Sequence, residues 1–534
     1  KRRWEVDKIT NFLNAKISGL VTSKPEILAD YARDASILEI TPKLLCVPHS
    51  VEDVQYLVRF ANELAKKGYQ LPVVVRGSGL DQSGADLTEG MVISTEKLNQ
   101  IQEIDDRARL VRVQAGVTLG QLNSALALFG LRLPIEADPR ETIGGLVSNF
   151  YTDKIAKKYG SIYYYVDRIE AVLSNGDLFQ SQTLTPHGLK YVKSKKDFAS
   201  TLYRGVETIR EENKEQLQEL KAHNHARAGY HMITEVQPTP HEFDLAPLFF
   251  GAQGSLGIIT ELIIKVIPLS RPTKQALFGF QDLKAAVDFM SELKKLQPLR
   301  IDFYDQRLIN LGQTHTSETN LNLGEAKYLI CTEFDDHYFK NQSNLKRLKK
   351  LSCQKDLAII DQPEIANIIA KIHKNLVAYR NDSSVVERVI VVDRSYIPEV
   401  EFSSFVDSLK TLEKIFDQEL PLFGSFMTNL YSIRPSFDLS QVNDRKQLLR
   451  FLQQFGKLVT DSNGSLCGGS AEGQVQALMV NQNTSARTLN LYHHIKTLFD
   501  PNNILNPKIK QGASLANLAR FMRTSAQIGL IRQD

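Results

Sequence analysis

Three glycine-bearing segments, far apart in the 534-residue chain, carry the residue types best suited to chemistry. They are residues 76–84 (RGSGLDQSG), 138–150 (DPRETIGGLVSNF) and 248–261 (LFFGAQGSLGIITE). Glycine tolerates positive φ and bares its N–H, so such runs form concave nests for phosphate oxygens and let main chain approach a bulky ligand. One such segment alone would read as a tight turn. Three in this order, with NPKIK at residues 506–510 near the end, point to one large phosphate-bearing ligand. A dinucleotide fingerprint of the Rossmann type does not fit. Gly77 and Gly79 match it, but Gln82 stands where the third glycine belongs, and an extended stretch (residues 91–94) follows instead of a helix.

The elements that must hold these segments are legible from periodicity. Ser50 caps a helix whose apolar positions are Val54, Leu57, Val58, Ala61 and Leu64, ended by Gly68. Residues 71–75 then form a buried strand that feeds the first loop, and residues 91–94 and 110–114 are further strands. Thr118 caps a helix running to Gly130, residues 169–173 lead into a Ser-Asn-Gly-Asp turn, and residues 258–267 are a β-branched run. From about residue 271 helices such as 283–296 alternate with strands at 328–333 and 389–393, an α+β pattern. A final helix spans residues 486–499, and the amphipathic tail from 513 packs as another helix.

Composition narrows the class. Hydrophobic content of 42% and charged content of 24% are those of a globular protein, and the length allows two or three domains. A net charge of +4 is small, and the basic run at 346–350 reads as a solvated helix face, so no nucleic-acid partner is expected. Cys46, Cys331, Cys353 and Cys467 are scattered without a C-x-x-C pair, which excludes an iron–sulfur domain within the chain and gives no disulfide framework. With no apolar stretch of membrane-spanning length, the expected location is cytoplasmic, with peripheral docking on a membrane or a partner subunit left open.

From about Gly19 to about Gly512 the chain resembles the p-cresol methylhydroxylase/vanillyl-alcohol oxidase superfamily, and within it the bacterial FAD-linked oxidases of D-2-hydroxy acids such as glycolate and D-lactate. YARDASILEITPKLLCVPHSVEDV (residues 31–54), KYGSIYYYVDRIEAVLSNGD (158–177) and NLYSIRPSFDLSQVNDR (429–445) carry the closer likeness. The resemblance implies an α+β fold: an N-terminal helix (1–18), a two-subdomain FAD-binding module (19–270), an inserted α+β cap with a ferredoxin-like sheet (271–470), and a C-terminal segment (471–534) returning to complete the FAD site.

It also implies which residues meet FAD. Gly77, Ser78, Gly79, Leu80, Asp81, Ser83 and Gly84, with Arg76 beside them, would serve the pyrophosphate. Pro139, Thr142, Gly144, Gly145, Ser148 and Asn149 would meet the ring and ribityl chain. Gly254, Gly257, Ile258 and Ile259 would lie by the adenine, and Asn506 and Lys508 would reach the pyrimidine edge. No His or Cys stands in the first two segments to link the flavin, so non-covalent FAD is expected.

Relatives of this kind hold a divalent metal through histidines and a glutamate of two cap motifs. Both frames survive here without them: FGSFMTNLYSIRP (423–435) has Ser425 and either Tyr431 or Ser432 at the histidine places, and GSLCGGSAEG (464–473) has Gly469 and Ser470 for Glu-His. Serines and a glycine make no transition-metal site, so none is expected. Arg380 is either a substrate-carboxylate anchor or a surface arginine, and His231 either a base or a structural histidine. Tyr431 and Glu472 are further catalytic candidates, while His493 and His494, adjacent on a helix, face apart. The expected function is FAD-dependent oxidation of a CH–OH group on a small alcohol or hydroxy acid, the degenerate cap favouring a sugar or polyol-like alcohol. The acceptor is open between quinone, electron-transfer protein and O2. The rival reading is an FAD-binding subunit that acts through a partner.

Overall fold

The computed structural model describes residues 2–223, 225–269, 273–308, 326–334, 338–352, 357–360 and 393–524. Arg380 and most of the expected strand at 389–393 lie outside them.

The helix capped by Ser50 spans Val51–Lys66 and buries its apolar stripe on a four-stranded sheet. That sheet comprises β1 (Leu20–Thr22), β2 (Leu44–Val47), β3 (Val73–Arg76) and β4 (Met91–Ser94), in the order β1-β2-β4-β3. The Asp53 carboxylate ties the helix to the preceding chain by accepting from the main-chain N–H groups of Ser18 and Gly19 at 2.8 and 2.9 Å. A second, antiparallel sheet follows: β5 (Ile101–Asp105), β6 (Leu110–Gln114), β8 (Val166–Val172), β9 (Leu178–Gln180) and β10 (Ile258–Lys265), with β10 at its centre between β6 and β8. A small ribbon pairs β7 (Leu131–Arg132) with β11 (Ile267–Pro268).

The cap is a seven-stranded antiparallel sheet: β12 (Lys274–Phe280), β13 (Arg300–Asp305), β14 (Tyr328–Phe334), β15 (Leu357–Ile360), β16 (Ser395–Tyr396), β17 (Leu422–Ser425) and β18 (Leu430–Ile433). Helices Leu283–Lys294, Phe402–Phe416 and Val442–Asp461 share an aromatic-rich core with it. Side chains alternate along a strand. Ile301, Phe303, Tyr431 and Ile433 therefore enter that core, while Arg300, Asp302, Ser432 and Arg434 turn towards the other domain. Together the sheets and helices make an α+β protein.

The basic run at 346–350 lies in the helix Tyr338–Ser352, with Leu348 buried and its charged neighbours at 346, 347, 349 and 350 exposed. The C-terminal chain returns to the first domain. Helix Ala486–Phe499 packs Leu491, Tyr492, Ile495 and Phe499 into the core of the second sheet, and Leu505 bridges in parallel to Val73 beside β3. Of the expected amphipathic tail, a short helix at Leu515–Phe521 is described.

Phe402 is fully buried in the cap, 4.5 Å from Tyr431 and 5.3 Å from Phe303 between ring centroids. Phe402→Ala should remove about 3–5 kcal/mol of cap stability, read as a lowered denaturation midpoint in urea.

Candidate functional site

Strand β3 delivers the first glycine loop to the foot of the second segment. A Cβ on Gly77 would run into the Thr142 hydroxyl, so the two segments are in direct contact. Gly79, at φ +76°, has Arg76 against it. Asp81 holds the loop shut, accepting from Ser83 N at 3.0 Å, Ala85 N at 2.8 Å and Asn149 Nδ2 at 3.3 Å. The second segment is helical over Ile143–Ser148, with Thr142 Oγ1 accepting from Gly145 N at 3.2 Å. Gln253 joins all three segments and the C-terminal chain. Its Nε2 donates to Asn149 Oδ1 (2.9 Å) and Ser83 Oγ (3.2 Å), and its Oε1 accepts from Gly473 N (3.0 Å).

These contacts border a groove, partly open to solvent, with about 690 Å³ of empty space. Gly77, Ser78, Gly79, Leu80, Asp81, Thr142, Gly144, Gly145, Ser148, Asn149, Gly254, Gly257, Ile258 and Ile259 line it. Asp86, Ala115, Glu141 and Gln253 line it too, though the sequence reading did not select them. Gln253 sits inside the third segment, but only the fold shows that its amide spans the others.

The remaining expected ligands lie behind the groove. Arg76 turns away, donating to Arg33 O at 2.7 Å and pairing with Asp86 at 3.3 Å. Gly84 packs on Leu38, and the Pro139 carbonyl accepts from Gly120 N at 2.7 Å. Ser83 faces a second cavity. Lys508 pairs with Glu89 at 2.7 Å and lies over Phe521. Asn506 is buried beside the groove, its Nδ2 donating to Ala85 O and Gln253 O at 2.7 and 2.8 Å.

The groove suits FAD. Where a Cβ at Gly254 would project, only Val75 Cγ2 comes near, at 3.9 Å, so the missing side chain leaves a cradle. Asn506, which bonds the groove-lining Ala85 and Gln253 from behind, has a buried Oδ1 with no hydrogen-bond partner among the described residues. Behind the first loop, carboxylate oxygens of Asp34, Asp81 and Asp86 lie within 4.8 Å of one another. Burial, then Asp86 and Asp81, hold Asp34 well above the usual carboxylate range.

The second cavity, about 2,070 Å³ and partly open to solvent, lies between the groove and the cap sheet. Leu80, Asp81, Glu141, Gly145 and Asn149 line both spaces. Its far wall carries three arginines, Arg300, Arg394 and Arg434, beside Asp393, and Lys154 reaches this wall from the first domain. Lys154 pairs with Asp302 at 3.2 Å, and Arg300 pairs with Glu136 at 2.8 Å and Glu333 at 2.6 Å. Arg394, at φ +53°, lies 4.1 Å over the Tyr151 ring, and its Nε donates to Asp393 Oδ2 at 2.9 Å. Its buried Nη1 has no hydrogen-bond partner among the described residues. Asp393 also accepts from Ser432 Oγ at 2.7 Å, and Arg394 N donates to the same hydroxyl at 2.9 Å.

Both degenerate frames meet here. Of the two alternatives at the second histidine place of the first frame, Ser432 lines the cavity and Tyr431 does not. A Cβ on Gly469 would collide with the Arg394 side chain, so the glycine of the second frame makes room for that arginine. Among the described residues, the one group of three or more His, Cys, Asp or Glu close enough to share an ion is the Asp34 cluster.

Three catalytic candidates are placed elsewhere. His231 is buried in the turn His231–Glu235 and lines neither cavity; burial, then Arg227, His225 and His223, push its pKa down to about 4, so it stays neutral. Tyr431 is stacked in the cap core. Glu472 is buried, accepting from Gly229 N at 2.9 Å and pairing with Lys510 at 2.8 Å. Each choice followed from motif position, and each side chain is directed by packing that position does not reveal.

Comparison with known proteins gives the same class. Residues 42–181 match the FAD binding domain and residues 269–509 match the C-terminal domain of FAD linked oxidases. The chain belongs to the FAD-linked oxidases. It is 24% identical over 469 residues to a D-lactate dehydrogenase of Archaeoglobus fulgidus, covering 86% of this chain and 89% of that one. It is 22% identical over 507 residues to a D-2-hydroxyglutarate dehydrogenase of Haemophilus influenzae, covering 89% of this chain and 48% of that one, so it spans about half that relative's length. The solved structure of p-cresol methylhydroxylase with substrate bound shares the fold, with a TM-score of 0.67, 15% identity, and coverage of 97% and 98% of the two chains.

Three outcomes follow. Acid precipitation should release FAD into the supernatant, and Gly145→Val, which places a branched side chain where both cavities meet, should yield folded, colourless protein by circular dichroism and visible absorbance. Glu472→Ala should lower stability by about 3–5 kcal/mol, because it strands the buried Lys510 ammonium; a thermal melt unchanged from wild type would contradict this role.

Proposed function

We propose that this chain oxidises a CH–OH group of a small anionic hydroxy acid. The observation that carries the reading is the wall shared by the groove and the cation-lined cavity: a substrate held by the arginines there lies against the groove. FAD, when bound, supplies a two-electron acceptor for hydride. The protein positions the other half of the reaction. Arg394 and Arg434 offer guanidinium groups suited to a carboxylate, Asp393 and Ser432 fix their orientation, and Leu80 and Gly145 form the wall on which the carbinol carbon rests. The hydroxy acids named for the relatives fit this arginine-bearing wall better than a neutral sugar or polyol does. The reaction runs without a divalent metal, the fixed guanidinium of Arg394 occupying the space beside Gly469.

A second reading, an FAD-binding subunit without turnover of its own, draws support from the placement of His231, Tyr431 and Glu472, none of which lines the cavity. Anaerobic photoreduction followed by a screen of D-2-hydroxy acids and sugars separates the two. Loss of the flavin's visible absorbance on adding D-lactate or D-2-hydroxyglutarate, undiminished by EDTA, is the expected result. Flavin that light reduces but no hydroxy acid does would support the second reading.

A further inference from the structure

The oxidation proposed above needs a group to take the hydroxyl proton, and the candidates read from motifs lie outside the cavity. We propose that Glu141 is that base, a role that rests on the proposed oxidation of a hydroxy acid, with the substrate's anion held by Arg394.

Position singles it out first. Glu141 and Asp81 are the two carboxylates that line both the flavin groove and the second cavity. Asp81 is committed to its own loop, accepting from Ser83 N, Ala85 N and Asn149 Nδ2. The other carboxylates lining the second cavity are committed too. Asp393 pairs with Arg394 and Arg434, Glu136 with Arg300, and Asp138 with Arg140. Asp153 accepts from the main-chain N–H groups of Glu136 and Ile155 at 2.6 and 3.1 Å. The Glu141 carboxylate alone among them makes no hydrogen bond or ion pair among the described residues, although its main chain is anchored, with the carbonyl accepting from Leu119 N at 2.8 Å. An anchored backbone and an uncommitted carboxylate are what a base requires.

Electrostatics supports the position. Burial pushes the Glu141 carboxyl up to about 7; Arg394 opposes this from the cap side, and Asp81 of the first loop, Asp138 of its own segment and Asp86 add to it. A base of that strength is poised to accept a proton near neutral pH. Among the described residues no histidine lines this cavity, Lys154 is held by Asp302, and the Tyr151 phenol is pushed up far beyond the working range, first by burial.

The step balances. The carbinol C–H bond breaks and its electron pair leaves as hydride to the flavin, the oxidant. The O–H bond breaks and its proton goes to the Glu141 carboxylate. A C=O bond forms, giving a 2-oxo acid. Glu141 then returns the proton to solvent through the cavity it lines. Arg394 stays charged throughout and holds the carboxylate.

The test compares wild type, Glu141→Gln and Glu141→Asp, each with FAD, by anaerobic stopped-flow reduction with D-lactate and D-2-hydroxyglutarate. Glu141→Gln should retain FAD and bind pyruvate or 2-oxoglutarate within a few-fold of wild type, while flavin reduction slows by about 10²–10⁴-fold. The wild-type rate should fall as pH drops through about 7, and the Gln profile should be flat across that window. Glu141→Asp, which keeps the carboxylate on a shorter arm, should recover part of the rate. Burial pushes Asp153 in the same cavity up to about 7 as well, so infrared difference spectra of the FAD-loaded proteins without substrate should show two carboxyl groups titrating near neutral pH in wild type, one of which is missing from Glu141→Gln. Reduction of Glu141→Gln at near-wild-type rate, with the wild-type pH dependence, would overturn the role of Glu141 and leave the hydroxy-acid reading intact. Wild-type flavin that no hydroxy acid reduces would overturn both.

Discussion

The contact of the first glycine loop with the helix of the second segment is the constraint on which the rest of the molecule depends. Gly77 has no room for a side chain because Thr142 stands against it, and Asp81 accepts from Asn149 across the same junction. Gln253 then spans to Asn149 and Ser83, and receives Gly473 from the C-terminal chain. Four stretches distant in sequence are thereby fixed by a handful of buried polar contacts. In a low-dielectric interior such a network specifies one arrangement, because leaving any member unpaired is costly. The groove is what remains between these stretches once their side chains have been stripped to glycine.

The cap depends on this junction for its meaning. Strand alternation sends one set of residues into an aromatic core and the other towards the FAD-binding module. Arg300, Arg434 and Ser432 belong to the outward set, and Arg394 joins them from the chain entering β16. None would form a site alone. Opposed to Leu80, Glu141 and Gly145 they enclose the second cavity, and charges of both signs stand on each side of it: Asp393 with Arg394 and Arg434 on the cap, Arg140 and Lys154 among the carboxylates opposite.

Much of this was legible in the sequence. Periodicity marked the helix at Val51–Lys66, the strands at Met91–Ser94 and Leu110–Gln114, and the final helix Ala486–Phe499, because each buries a face that its apolar spacing announces. The glycine segments marked the groove. Side-chain direction was not legible. Tyr431 and Ser432 are neighbours differing by one register step, and only the pairing of β18 with β17 decides which faces the cavity. Lys508 and Lys510 both lie in NPKIK, yet one reaches a surface glutamate and the other a buried one. Gly469 acquires its meaning from Arg394, 75 positions earlier, and Glu141 looks like any charged residue before a helix cap until both cavities are seen to meet at it.

The parallel bridge between Val73 and Leu505 also bears on how the protein is made. Domains tend to fold as the chain leaves the ribosome, N-terminal portions first. Here strand β3, which carries the first glycine loop, waits for residues more than 400 positions later to flank it, and Asn506 closes the wall by bonding to Ala85 and Gln253. The glycine loops can be synthesised and even paired with β4 long before their site is whole. Cofactor capture is thus deferred until residues 473–506 have been made, and the flavin, once seated, pins segments made far apart in time to one another.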